Sequence, residues 1–148
     1  MNFVDVERAI TTAVRDALPY VRTVETYAGQ LEGEFEALAL PFPAIFVVYG
    51  GSFFEWVDGR SYSEMSEFSI IVAAKDLKSS GNLRNGEHGC YRMIADVLAA
   101  LAHKNLGLAA IEPIKPISVS LKSISKTAAA YEIDFRTRFD IDFSESGS

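Results

Sequence analysis

The chain holds one cysteine, Cys90, and two histidines, His88 and His103, so thiolate or soft-metal chemistry has only these residues to draw on. If all three lie on one helix, His88 and His103 are about 22 Å apart, and His88 and Cys90 point about 200° apart around the axis. Neither pair can chelate one ion, and no second cluster completes a tetrahedral set. Cys90 falls on an apolar helical stripe, which suits a small core residue better than an activated nucleophile. His103 reads as a helix-end residue. The run Gly81-Asn-Leu-Arg-Asn-Gly86 has the glycine spacing of a phosphate loop. Glu87 and His88 follow where Lys and Ser/Thr would have to reach phosphate and magnesium, and a glutamate there repels the ligand. Acidic groups occur as Asp134/Asp140/Asp142 and as Glu32/Glu34/Glu36. Two carboxylates serve acid–base chemistry only when their environments push their pKa values apart. Beside Arg136 and Arg138 the aspartates are expected in surface ion pairs instead. There is no Gly-x-Ser-x-Gly elbow, and Ser118, Ser120, Ser123 and Ser125 fit an alternating strand. No catalytic residue, metal or cofactor is expected.

The unusual segment is Phe53-Phe54-Glu55-Trp56, with aromatic side chains at both strand parities. One face of a sheet cannot take both sets. Two readings stand: an edge strand covered by the Gly29–Leu40 loop, or a surface for a protein partner, since aromatics are enriched in interface cores. Asp76–Gly86 is a polar, glycine- and asparagine-rich excursion that reads as a mobile loop. Phe53, Phe54 and Trp56, with Leu83 and Arg84 of that loop, are the candidate interface residues. Sequence-specific nucleic-acid binding is not expected. The aromatics are not interleaved with basic residues, and the chain is acidic, with net charge −6 and pI near 4.9.

The elements that would position these residues follow from periodicity. Phe3, Val6, Ile10, Ala13, Val14 and Ala17 recur at helical spacing, with Asn2 or Asp5 as the cap and Pro19 as the stop. Tyr20–Tyr27 reads as a strand. Gly29–Leu40 reads as a loop with at most a helical turn. Ala44–Tyr49 is uniformly apolar, as in a strand buried on both faces. Gly50-Gly51 is expected to break it before a further strand, Ser52–Val57. Asp58-Gly59-Arg60 is a hairpin turn into Tyr62–Ala74, with Phe68, Ile70 and Val72 on one face. Cys90, Ile94, Val97, Leu98 and Leu101 define the clearest helix, with His103 and Lys104 in its last turn and Gly107 as its stop. Ile117, Val119 and Leu121 alternate with Ser118, Ser120 and Lys122. In the last run Ile133, Phe135, Phe139, Ile141 and Phe143 share one parity, interrupted only by Thr137.

The expected fold is α+β: an antiparallel or mixed sheet packed by an N-terminal helix and one long central helix. The 148 residues suit one domain, 1–143, with a flexible tail, 144–148. At 49% hydrophobic and 23% charged the composition is that of a globular protein, neither disordered nor collagenous. A lone cysteine makes no intrachain disulfide. The opening residues lack a signal-peptide pattern, and Pro41 and Pro43 interrupt the greasiest stretch, so no membrane association is expected and synthesis is expected in the cytoplasm.

The order of these features resembles the Mu-like phage and prophage tail proteins encoded beside the tail sheath. The resemblance rests on five features. They are the N-terminal amphipathic helix, Leu38-Ala-Leu-Pro41 leading into Ile45-Phe-Val-Val48, the Gly50-Gly51 pair, the helix Tyr91–Leu98, and the alternating strand Tyr131–Ile141. It implies a tail terminator: a small α+β subunit forming a hexameric ring that caps the tail tube and sheath and meets the head–neck connector proteins. The implied location is the virion tail. It implies no active-site residues and leaves open an adaptor role at the neck or baseplate. The rival reading is a curved-sheet α+β ligand binder or enzyme of the isomerase or cyclase type, which needs polar groups converging in an apolar pocket.

Overall fold

The computed structural model describes residues 1–26, 40–75 and 89–144. Two helices and five strands follow one another as α1 (Phe3–Ala17), β1 (Thr23–Thr26), β2 (Ala44–Asp58), β3 (Ser61–Lys75), α2 (Cys90–Leu101), β4 (Lys115–Ile124) and β5 (Ala128–Asp142). The strands form one mixed sheet in the order β1-β2-β3-β5-β4. β1 runs parallel to β2, and all other neighbours are antiparallel. The expected α+β class is the observed one.

α1 starts with a reciprocal cap, so Asn2 and Asp5 act together. The Asn2 side chain accepts from the Asp5 backbone N–H at 3.1 Å, and the Asp5 carboxylate accepts from the Asn2 N–H at 3.3 Å. Val6, Ile10 and Val14 of α1 and Cys90, Met93, Val97 and Leu101 of α2 bury their side chains against one face of the sheet. They meet Ile45, Val47, Phe68, Ile70, Val72, Ile133 and Phe135 there. This is the helix side. On the other face, the outer side, Ala44, Phe46, Ile71, Ala73, Ala128 and Ala130 form a smaller cluster with Leu40 and Phe42. The double-sided burial expected for Ala44–Tyr49 holds for Ala44 to Val47.

Three expectations are corrected. Gly50-Gly51 does not end a strand: β2 runs on to Asp58, with a bulge where the pairing steps from Tyr49↔Phe68 to Gly51↔Glu67. One extra residue is absorbed there, and Gly51 takes φ 117°, which a side chain would oppose. The bulge also switches parity. Val47 and Tyr49 pair with helix-side residues before it, whereas Ser52, Phe54 and Trp56 pair with the helix-side row Ser66, Glu64 and Tyr62 after it. The second correction concerns α2, which stops at Leu101. His103 lies beyond it at φ 60° and donates its N–H to the Ile114 carbonyl at 2.7 Å. Lys104 also lies beyond the helix, yet its Nζ reaches back to the Ala99 carbonyl at 2.7 Å, so the cation still meets the helix C-terminus. Thirdly, the strand expected over Tyr20–Tyr27 is shorter, Thr23–Thr26, with Tyr27 outside the described residues. Tyr20 instead ties the segment after α1 to α2, donating to Asp96 at 2.6 Å. Burial, then this bond and the Asp96 charge, push its phenol above the ordinary range.

Candidate functional site

The residues that could carry chemistry are dispersed. Cys90 is buried, its Sγ 3.5 Å from the Ala129 carbonyl, and burial pushes the thiol up to about 12. His103 is fixed by backbone geometry at the end of α2. His88, Gly81–Gly86, the three loop glutamates, Leu83 and Arg84 lie outside the described residues. Among the described residues, no three of His, Cys, Asp and Glu cluster to hold a metal.

The outer-side carboxylates are engaged by neighbours. Asp134 accepts from Ser69 at 2.6 Å and from Ser118 at 3.0 Å. Glu132 lies 3.8 Å from Lys122, and Glu67 lies 2.6 Å from Arg136. Burial, followed by a hydrogen bond with Asp134, raises the Glu132 pKa. Hydrogen bonds from Ser144 lower that of Asp142. The expected partners are corrected: Asp134 and Asp142 bond to serines, and Arg136 pairs across the strands with Glu67, its register partner on β3, rather than with an aspartate of its own strand.

One polar cluster is absent from the sequence reading. Glu64 is buried at 3% exposure, on the helix side. Its Oε2 accepts from Ser52 at 2.7 Å and from Ser66 at 3.2 Å, and the Tyr49 hydroxyl bonds to Ser52. The signal was available: the β3 parity that carries Phe68, Ile70 and Val72 continues backwards into Ser66 and Glu64. The cluster has no histidine, and its hydroxyls are spent on one another and on the carboxylate. Its work is to fill the centre of the sheet with satisfied polar groups where the apolar row ends.

Beyond this cluster the hairpin of β2 and β3 carries exposed aromatics. Phe53, Phe54, Trp56 and Val57 are 54–64% exposed. Strand alternation divides the aromatics and the bulge sets which of them faces the helices: Phe54 and Trp56 lie on the helix side, and Phe53 on the outer side. Trp56 Nε1 donates to the Gly59 carbonyl at 3.1 Å, holding the indole along the turn. Phe143 bridges Phe54 and Tyr62, with ring centroids at 6.4 and 5.4 Å. Sequence parity placed Phe143 in the core row, but it follows the strand end and is exposed. On the outer side Phe53, Glu55, Ser63, Met65, Arg136 and Arg138 line an open cleft of about 230 Å³. In it Ser63 Oγ and Arg136 Nε have no hydrogen-bond partner. Among the described residues its charged groups are one carboxylate, Glu55, and two guanidiniums, Arg136 and Arg138, on an open surface rather than inside an enclosed apolar pocket.

A second apolar surface was not foreseen. Ile117, Val119, Leu121 and Ile124 of β4 are 45–53% exposed. Val119 and Leu121 pair with Ile133 and Tyr131 on the helix side, beside Tyr91 of α2, whose ring meets Tyr131 at 6.0 Å. Alternation correctly signals one apolar face, but it does not say whether anything covers that face.

The chain has an α+β fold whose described residues leave two apolar edges, the β2 hairpin and β4, exposed. The family model described as "Bacteriophage Mu, Gp37" matches residues 2–140, and the chain belongs to that phage family. No curated protein matches it. Among solved structures it is similar to a chain of the "Virion of native gene transfer agent (GTA) particle". The TM-score is 0.57 over 91% of this chain and 94% of that one, at 14% identity. That likeness is one of fold.

Proposed function

We propose that this protein is a tail terminator: identical subunits, six in number, form a ring that caps the tail tube and sheath and presents a surface to the head–neck connector. Membership of a Mu phage family and the fold shared with a virion chain support a place in the particle. The observation that carries the ring reading is the pair of unlike apolar surfaces at opposite edges of one sheet, the β2 hairpin and β4. A surface that matches itself makes a two-fold dimer, whereas two different surfaces make head-to-tail contacts, which close into a ring when the rotation permits. Six copies match a six-fold tail. The net charge of −6 keeps the free subunit soluble while these edges are uncovered. No described helix is long and apolar enough to cross a membrane.

The test is to delete the gene from its phage and image the tails. Overlong or headless tails support termination; tails of normal, uniform length that still join heads overturn it.

A further inference from the structure

We infer that neighbouring copies join edge to edge, the free half of β2 (Ser52–Asp58) of one copy adding as a strand onto β4 of the next. The inference rests on the ring reading above and names its contact. Among the described residues both edges are open. β1 covers β2 only from Ala44 to Val47, and β4 is the last strand of the sheet. An open edge presents a row of unpaired backbone N–H and C=O groups, a template for another strand.

Three features select this pairing. The first is charge. The segment Ser52–Asp58 carries Glu55 and Asp58 and no cation, whereas β4 carries Lys115 and Lys122 and no carboxylate. Pairing either edge with its own copy sets like charges together; pairing the two edges sets carboxylates against ammoniums. The second is parity. If the sheet continues across the junction with its faces preserved, Phe54 and Trp56 fall on the same side as Val119 and Leu121. Glu55 falls on the side where Lys122 reaches Glu132. Apolar then meets apolar and charge meets countercharge in one register. Within one copy β2 and β4 run antiparallel to each other, so preserved strand direction makes the new pair antiparallel as well.

The third is the diagonal placement of the two edges. β4 flanks the end of the sheet marked by Ala129–Arg136, and the free half of β2 lies at the other end, beyond Glu67. Joining them staggers each copy by about seven residues, about 24 Å, across the four strands from β2 to β4, a width of about 19 Å. The resulting strand tilt, about 50°, inclines the strands to the ring axis, as a sheet that closes on itself requires. Pro116, which has no N–H, and the two bulges of β4 confine pairing to its middle. Such a guard keeps the edge from indiscriminate aggregation while leaving room for a chosen neighbour.

The experiment is cross-linking with a short bismaleimide of the Glu55→Cys and Lys122→Cys variants, as purified protein at high concentration and within phage particles. Cys90 is buried, and the wild-type chain measures its background. Each single variant alone is expected to give no product above background. A mixture of the two is expected to give a dimer only, and the double variant a ladder of oligomers. Dimers from Glu55→Cys alone, or no mixed product in either setting, overturn the inference. A chain that terminates tails and shows no mixed product keeps the ring and moves its contact elsewhere. A ladder in a phage whose tails are normal without the gene keeps the edge pairing and removes the terminator role.

Discussion

The two ends of the sheet are built from the same three strands and differ in almost everything else. Where Ala44–Val47, Phe68–Ala74 and Ala128–Phe135 lie side by side, the sheet is buried on both faces, with α1 and α2 over one of them. Where Ser52–Asp58, Ser61–Glu67 and Arg136–Asp142 lie side by side, the centre is a hydroxyl–carboxylate cluster, and the outermost strand exposes aromatics on both faces. The bulge at Gly50-Gly51 sits at the boundary. One end supplies stability, and the other is stiffened by hydrogen bonds and left apolar at its rim. Among the described residues this half of the sheet is held in shape without being covered, as the proposed edge pairing requires.

This contrast predicts where mutations will be felt. Phe135 is buried beneath the helices, and Phe135→Ala is expected to cost about 3–5 kcal/mol in urea unfolding, from lost burial plus a cavity. Phe139 is the exception that sharpens the comparison. It lies at the far end of β5, yet Ile111 bridges to it and it is buried at 2%. Phe139→Ala is expected to fall in the same range, while Asp140→Ala beside it stays within about 0.5 kcal/mol. If Asp140 proved the costlier of the two, the register of β5 would be wrong.

Glu64 comes next. Glu64→Ala removes the acceptor shared by Ser52 and Ser66 and is expected to cost about 1–3 kcal/mol, the penalty of leaving buried hydroxyls unmatched. If the far end needs no internal order, Glu64→Ala will be neutral in denaturant melts.

Much of this organisation was legible from residue patterns, and the misses share a cause. The cap at Asn2 and Asp5, the hairpin at Asp58-Gly59-Arg60 and the core parity of Ile133, Phe135 and Phe139 are local signals, read correctly because one element suffices to produce them. Met93 was passed over for Ile94 and Leu98, and all three pack toward the core, because the sheet presents a wider surface than a strict stripe. Two adjacent glycines read as a break, whereas only Gly51 needs positive φ and the partner strand carries β2 straight through. The parallel β1–β2 pairing and the exposure of β4 depend on sheet order, which no single segment encodes. For the interface, Phe53, Phe54 and Trp56 were singled out because their parity was contradictory. The contradiction disappears because alternation sends them to opposite faces and both faces are exposed at this end of β2.

A smaller effect concerns pH. With its thiol raised to about 12 from an ordinary value near 9, Cys90 stays protonated in the folded chain while the unfolded chain gives up its proton. Its contribution to stability is therefore whole below about pH 9 and declines toward pH 12. Tyr20, also raised, adds to the decline above about pH 10. Cys90→Ala should lower stability at pH 7 by about 1 kcal/mol yet flatten the alkaline slope. Urea midpoints at pH 7 and 10.5 measure both, and an unchanged slope would show that Cys90 is not the titrating group.

The smallest expected change in stability belongs to the hairpin, and it is the most discriminating. Phe54 and Trp56 each leave more than half of their surface in water, so replacing both with serine removes little buried area. The double variant is expected to unfold within about 0.5 kcal/mol of the wild type. The same replacement strips the helix-side row that would lie against Val119 and Leu121 of a neighbour, and aromatic anchors dominate the energetics of interfaces. Ring formation and tail termination should therefore fail in a chain that folds normally. Phe135→Ala should do the reverse: its survivors, once folded, retain an intact edge and should still assemble at permissive temperature. If the serine variant instead assembles normally, or loses stability as Phe135→Ala does, the two ends of the sheet do not divide the labour between folding and contact.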